Sequence, residues 1–199
     1  MAFADWRGLF SGADCVVVGC GPSAAGVAGL CEPLWTIACN RSVQLVRSDF
    51  AVCVEPFVSR LWPVMRAAGV PFVFAHICED RRGRRPHPRI VQFDSKNVLD
   101  WFAPERTDRS SELWCAMSPF WAAAVGAWLG FERVGVIGVD LTEDRYPDVR
   151  RENAAWQALR NLVIGRTTIL NLSRCSRLDI LGGHWTDFRP KVRHAITTA

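Results

Sequence analysis

The stretch VVVGCGPSAAG, residues 16–26, decides how the chain reads. A run of valines stops at Gly19, a second glycine follows at Gly21, and Pro22 and Ser23 come directly after. A short continuous apolar run of β-branched residues predicts a strand buried on both faces. The two glycines at its end leave two readings. One is a cradle in which glycine lets the main chain approach a phosphate, backed by the N–H groups and positive end of a following helix. The other is a tight turn whose glycines only permit close packing. Gly19-Cys20-Gly21-Pro22-Ser23-Ala24 satisfies the loose form GxGxx(G/A). A dinucleotide unit of this kind carries an acid about 20 residues on. Here that place holds Asn40, which argues against NAD and FAD but can still hydrogen-bond a ribose or a base. Pro22 removes one N–H, a small loss at the first position of a helix. No GxxxxGK[ST] occurs, so P-loop chemistry on ATP or GTP is not indicated.

Working outward, short apolar runs alternate with longer amphipathic stretches. Strands are predicted at 15–18, 35–39, 50–54, 71–75, 134–137 and 168–170. Helices are predicted at 57–68, closed by Gly69, at 118–129 and at 149–164. In the second of these Ser118 is the expected N-cap, Pro119 the first helical residue and Gly130 the stop. Buried strands separated by helices imply an α/β fold: a Rossmann-like, open, mainly parallel sheet with helices on both faces. One domain is expected over 1–188, with an irregular loop insertion near 78–111 and a loose polar tail at 189–199.

Composition fits that picture. The chain has 199 residues, 49% of them apolar, enough for a full core and too many for a disordered chain. No apolar run is long enough to span a bilayer, and the start shows no secretory pattern, so a soluble cytoplasmic protein is expected. The eight cysteines show neither CxxC pairs nor zinc spacing, and Cys15, Cys39, Cys53 and Cys115 lie in or beside apolar runs. They read as free thiols in a reducing compartment. The net charge of +4 is too mild to indicate nucleic acid.

In an open α/β sheet ligands bind beyond the carboxyl ends of the strands. That rule selects Gly19, Gly21, Pro22 and Ser23; then Asn40 and Arg41; Glu55; His76; Gly138 and Asp140; and Asn171 and Ser173. Asp140 can bind a metal, take a proton, anchor a hydroxyl or simply cap a turn, with Glu143 and Asp144 close in sequence. His184, after Gly182 and Gly183, is a candidate general base or a surface histidine, and His76 stands likewise. Arg81, Arg82, Arg84 and Arg85 form either an anion site or a solvated loop. Trp114, Trp121, Trp128 and Trp156 fall mainly on predicted helices and read as packing.

The segments VVVGCGPSA, TIACNRSV, SPFWAAAVGAWLGFERVGVIGVDLT and ILNLSRCSRL, taken in order, resemble a family. It contains bacterial sialyltransferase-like proteins and archaeal 6-hydroxymethylpterin diphosphokinase-like proteins. The resemblance spans about residues 14–178. It implies a Rossmann-like fold and a nucleotide-dependent transferase, foremost a glycosyltransferase of the sialyltransferase type with a CMP-sugar donor. It implies nucleotide contacts from Gly19, Gly21, Pro22, Ser23, Asn40, Asn171 and Ser173, with Ser118 and Asp140 lining the same cleft. No metal is assigned in that reading. The alternative is a pyrophosphokinase using ATP and Mg²⁺ held by Asp140 with Glu143 or Asp144. One departure stands out: the family's histidine base is missing, because no histidine lies between Asp140 and Asn171. Asp140, Glu55 and His184 remain as candidates for that role, and a nucleotide-binding copy without catalysis is a further reading.

Overall fold

The computed structural model describes residues 2–54, 58–76, 89–93, 97–105, 113, 115, 117–142 and 148–192. Seven strands form one sheet: β1 (Asp14–Val18), β2 (Trp35–Cys39), β3 (Phe50–Cys53), β4 (Phe72–His76), β5 (Ile90–Phe93), β6 (Arg133–Ile137) and β7 (Thr168–Asn171). Their order is β5-β4-β3-β2-β1-β6-β7, and every pairing is parallel. The expected open α/β sheet is therefore present. From β1 the chain builds outward to β5 on one side, then returns to place β6 and β7 on the other. The order reverses between β1 and β6, and that is where an open sheet leaves a crevice for a ligand.

Successive strand residues point to opposite faces. Cys15 and Val17 enter one apolar core, Val16 and Val18 the other. The first core is aromatic, with Trp6, Phe50, Phe74, Phe93, Phe120 and Trp121 all fully buried. Helix α4 (Ser118–Leu129) lies in this core against β1, β2, β3 and β6. It is apolar nearly all round, the pattern of a helix enclosed by its own protein. At Gly126 an added Cβ would meet Val134 Cγ2 at 3.2 Å and Cys15 Sγ at 3.4 Å, so the glycine sets how closely α4 approaches the sheet. Gly130, at φ +93°, ends the helix in the left-handed conformation that glycine favours. Helix α5 (Val149–Leu162) buries Trp156 and Leu159 in the same core, while α2 (Val58–Ala67) gives Leu61 and Met65 to the other. Helices thus cover both faces, as expected.

The structure departs from the sequence reading in four places. Within the expected loop insertion, Ile90–Phe93 is the edge strand β5, and α3 (Leu99–Phe102) buries Trp101 and Phe102. Behind the glycine loop no long helix begins. Pro22–Ala24 is a single 3-10 turn, and α1 (Ala28–Cys31) has four residues. Ser118 is the first helical residue, with Met117 at the N-cap, and its hydroxyl engages another loop. Of the expected loose tail, residues 193–199 lie outside the described residues, while Arg189 and Lys191 are tied to the domain. Arg189 binds Asp14 through its main-chain N–H at 2.8 Å and through its guanidinium, and Lys191 pairs with Asp49 at 3.1 Å.

Candidate functional site

At the β1–β6 reversal, two glycines face each other across a gap too narrow for a side chain. A Cβ on Gly19 would lie 2.4 Å from the Gly138 carbonyl oxygen, and one on Gly138 2.7 Å from the Gly19 carbonyl oxygen. Gly138 also has φ +75°. A Cβ on Gly21 would sit 2.6 Å from Asp140 Oδ2. The glycines therefore make room for the neighbouring loop.

Their amides follow the same logic. Gly19 N–H donates to Ile137 O at 2.8 Å and Gly21 N–H to Gly138 O at 2.9 Å. Ser23 N–H donates to Asp140 Oδ2 at 2.8 Å, while Gly138 N–H donates to Ser23 Oγ at 3.0 Å. The expected cradle of loop amides is thus replaced, at Gly19, Gly21 and Ser23, by a lock between the β1 and β6 loops. At Gly19, Gly21 and Ser23 the amides are used in close packing between the two loops.

Asp140 is the centre of that lock. Its second oxygen accepts from Ser173 Oγ at 3.3 Å, and its own carbonyl accepts from Arg177 N–H at 3.2 Å. One carboxylate therefore joins the loops after β1, β6 and β7. The next residue, Leu141, is buried at φ +50°, a conformation uncommon for a bulky side chain and a sign of local constraint.

Asn40, directly after β2, also has positive φ, +53°. Asparagine tolerates this better than most residues. Its Nδ2 donates to Ser118 Oγ at 3.0 Å, so the β2 loop and the start of α4 meet through one amide and one hydroxyl. No side chain caps α4 at Met117. The start of a twelve-residue helix, with its positive dipole end, thus opens beside Asn40.

Two hollows flank Asp140. The smaller, about 130 Å³, is bounded by Cys20, Pro22, Asn40, Ser118, Gly138 and Asp140. The larger, about 680 Å³, is bounded by Ser23, Ser173, Arg174, Cys175, His184 and Trp185. Pro22, Asp140 and Thr142 line both and form the saddle between them.

The structure thus gathers Gly19, Gly21, Pro22, Ser23, Asn40, Ser118, Gly138, Asp140 and Ser173 at one place, with His184 on the larger hollow. Asn171 lines neither hollow. It organises the following loop, donating to Leu178 O at 3.1 Å and accepting from Ser173 N–H at 3.0 Å. His184 Nδ1 faces Thr186 Oγ1 at 2.8 Å and accepts from Thr186 N–H, capping the turn Trp185–Asp187. His76 ends β4, three strands from the reversal. Glu55, Arg81, Arg82, Arg84, Arg85, Trp114, Glu143 and Asp144 lie outside the described residues. Sequence reasoning passed over Trp185, Arg174 and Cys20. A Trp two residues beyond a double glycine was the available signal for the first.

The thiols at the site divide by burial. Burial pushes the Cys39 thiol well above its ordinary value, with the neighbouring Cys20 and Cys53 adding to the effect. Cys20 and Cys175 are exposed, one on each hollow.

Known proteins place this fold. No family model matches the chain, and no curated protein does. Solved structures do. The sialyltransferase CstII from Campylobacter jejuni in complex with the substrate analogue CMP-3FNeuAc aligns with TM-score 0.59 and 12% identity, over 90% of this chain and 88% of that one. The monofunctional alpha-2,3-sialyltransferase Cst-I from Campylobacter jejuni aligns with TM-score 0.61 and 10% identity, over 91% and 83%. CstII in complex with cytidine-5'-monophosphate gives 0.57 and 12%, over 86% and 84%. The likeness is one of fold. The diphosphokinase side of the sequence resemblance gains no support from these structures.

Proposed function

We propose that this chain is a glycosyltransferase that takes its sugar from a CMP-activated donor. The observation that carries the proposal is the meeting of Asn40 and Ser118 at the open start of α4, beside the β1–β6 reversal. A helix start with neutral donors around it suits an anion on the ligand. The likeness in fold to CMP-bound sialyltransferases supports cytidine as the nucleoside.

In this mechanism an acceptor hydroxyl attacks the anomeric carbon of the donor sugar. The bond from that carbon to the phosphate oxygen breaks, and CMP leaves with both electrons. Helix α4 and the Asn40 amide stabilise the charge on the departing phosphate. Asp140, whose oxygens already accept from Ser23 and Ser173, holds the three loops in position. His184, on the larger hollow, is the candidate base for the acceptor proton.

The test is release of CMP from CMP-sialic acid, with and without EDTA. Release above the buffer rate that persists in EDTA supports the proposal, and His184→Ala should lower it about 100-fold or more. CMP binding with no turnover toward any offered acceptor would favour the second reading, a nucleotide-binding protein without catalysis. The engagement of both Asp140 oxygens within the protein is the observation on that side.

A further inference from the structure

A nucleotide-sugar cannot fit the smaller hollow alone. Sites for small molecules and cofactors usually occupy about 300–1,000 Å³. At about 130 Å³ the smaller hollow falls below that range, while the larger, at about 680 Å³, lies within it. A nucleotide whose phosphate reaches Asn40 and Ser118 must therefore cross the Asp140 saddle, with its base and its phosphate in different hollows.

The linings say which end goes where. The smaller hollow has an amide, a hydroxyl and the start of a helix, but no Phe, Tyr or Trp among the described residues. The larger has apolar walls from Val27, Ile137 and Leu172, and Trp185 is the only Phe, Tyr or Trp on either lining among the described residues. A planar base loses least on leaving water when it lies against an aromatic ring, and every base has a face suited to this.

Trp185 is held as a wall. It is half-buried, packed against the core that contains Leu172 and Phe188, and it lines the hollow. The chain reaches this point because Gly183 passes tightly over β7: a Cβ there would lie 2.9 Å from Leu170 Cβ. Gly183 N–H donates to Asn171 O at 3.0 Å, which fastens the crossing. The turn holding Trp185 is then fixed by His184, whose main-chain N–H donates to Asp187 Oδ2 at 2.8 Å and whose ring accepts from Thr186 N–H. Arg174, exposed on the same lining, offers donors for the acceptor atoms of a pyrimidine edge.

We infer that Trp185 is the stacking wall for the nucleobase, and that the base lies in the larger hollow while the charged end crosses Asp140 toward Asn40 and Ser118. This rests on the nucleotide reading above. It assigns a specificity role to LGGHWTD, residues 181–187, which lies beyond the segment that carries the family resemblance.

The experiment is calorimetry with cytidine monophosphate and with ribose 5-phosphate, which lacks the base. Trp185→Ala should weaken cytidine monophosphate about 10- to 100-fold. Trp185→Phe should keep binding within about threefold, and ribose 5-phosphate should change by less than about twofold in either variant. Because Trp185 also packs on the core, a second readout uses the intact side chain. In protein labelled with 5-fluorotryptophan, the fluorine line absent from Trp185→Phe should move on addition of cytidine monophosphate. Heat from cytidine monophosphate with that line unmoved overturns the stacking assignment and leaves the nucleotide reading standing. So does an unchanged affinity in Trp185→Ala, or an equal loss for both ligands. No heat from cytidine monophosphate with the wild-type protein overturns the nucleotide reading and the stacking assignment together.

Discussion

The two edges of the sheet each centre on one aspartate, and they treat it in opposite ways. At the amino edge Asp14 opens β1. Its buried carboxylate is met by cations: Arg133 at 2.7 Å and Arg189 at 3.1 Å, with Arg189 also reaching Glu132 at 2.7 Å. At the carboxyl edge Asp140 follows β6. Its oxygens are met by neutral donors, Ser23 N–H and Ser173 Oγ, with a hollow on either side. One aspartate closes a surface and fastens the segment at Arg189; the other holds loops apart around a space. Charge neutralised by fixed cations leaves nothing for a ligand to do. Charge held by neutral donors beside open volume can organise a site.

The largest effect expected from breaking this contrast is at the glycine crossing. Gly19→Val places a branched side chain where even a Cβ would lie 2.4 Å from a carbonyl oxygen. It should lower stability by about 3 kcal/mol or more, or prevent folding, as read by denaturant unfolding. Gly12→Ala is the control. No atom lies within 4 Å of an added Cβ there, although its φ of +81° adds some backbone strain. The Gly12 variant should therefore lose much less.

Next comes the amino edge. Burial raises the Asp14 carboxyl, but hydrogen bonds from Arg189 and Arg133 outweigh it and hold the group below its ordinary value. A carboxyl lowered by folding contributes stability above its unfolded value, near pH 4, and that contribution fades as pH falls through the lower folded value. Asp14→Asn should therefore cost about 1–3 kcal/mol at neutral pH, and the gap from wild type should narrow below about pH 4. Equal gaps at pH 7 and pH 3 would contradict the cation-neutralised picture.

A smaller effect sharpens the comparison. Asp140→Asn keeps an acceptor for Ser23 and should cost about 1 kcal/mol. Asp14 opens β1 and Asp140 follows the far end of the adjacent β6, so Asp14→Asn and Asp140→Asn should add within about 0.5 kcal/mol. A larger coupling would mean the two edges are one network.

The smallest perturbation is chemical labelling. Cys20 and Cys175 should alkylate readily in the native protein. Cys31, pushed up to about 12 by burial, should react only on unfolding, together with Cys15 and Cys39. Cytidine monophosphate should protect both exposed thiols, since each borders one of the two hollows.

The sheet was readable because its strands are apolar on both faces and β-branched, and the helices between them carry clear stops such as Gly69 and Gly130. β5 was not, because Ile90–Phe93 is four residues long and lies in a charged stretch; its pairing with β4 is what makes it a strand. The site's members were readable as strand-end residues, yet their roles were not. Whether Gly19 faces a phosphate or a neighbouring loop depends on where β6 lies, and a local motif cannot encode a contact 119 residues away. Trp185 was missed for a related reason: it reaches the hollow through a crossing over β7 that only the folded chain reveals.

The most direct test of the account is a crystal structure with cytidine monophosphate bound. The account predicts density across the Asp140 saddle, with the base on Trp185 and the phosphate toward Asn40 and Ser118. Density elsewhere on the molecule, or both hollows left unoccupied at saturating ligand, would contradict it.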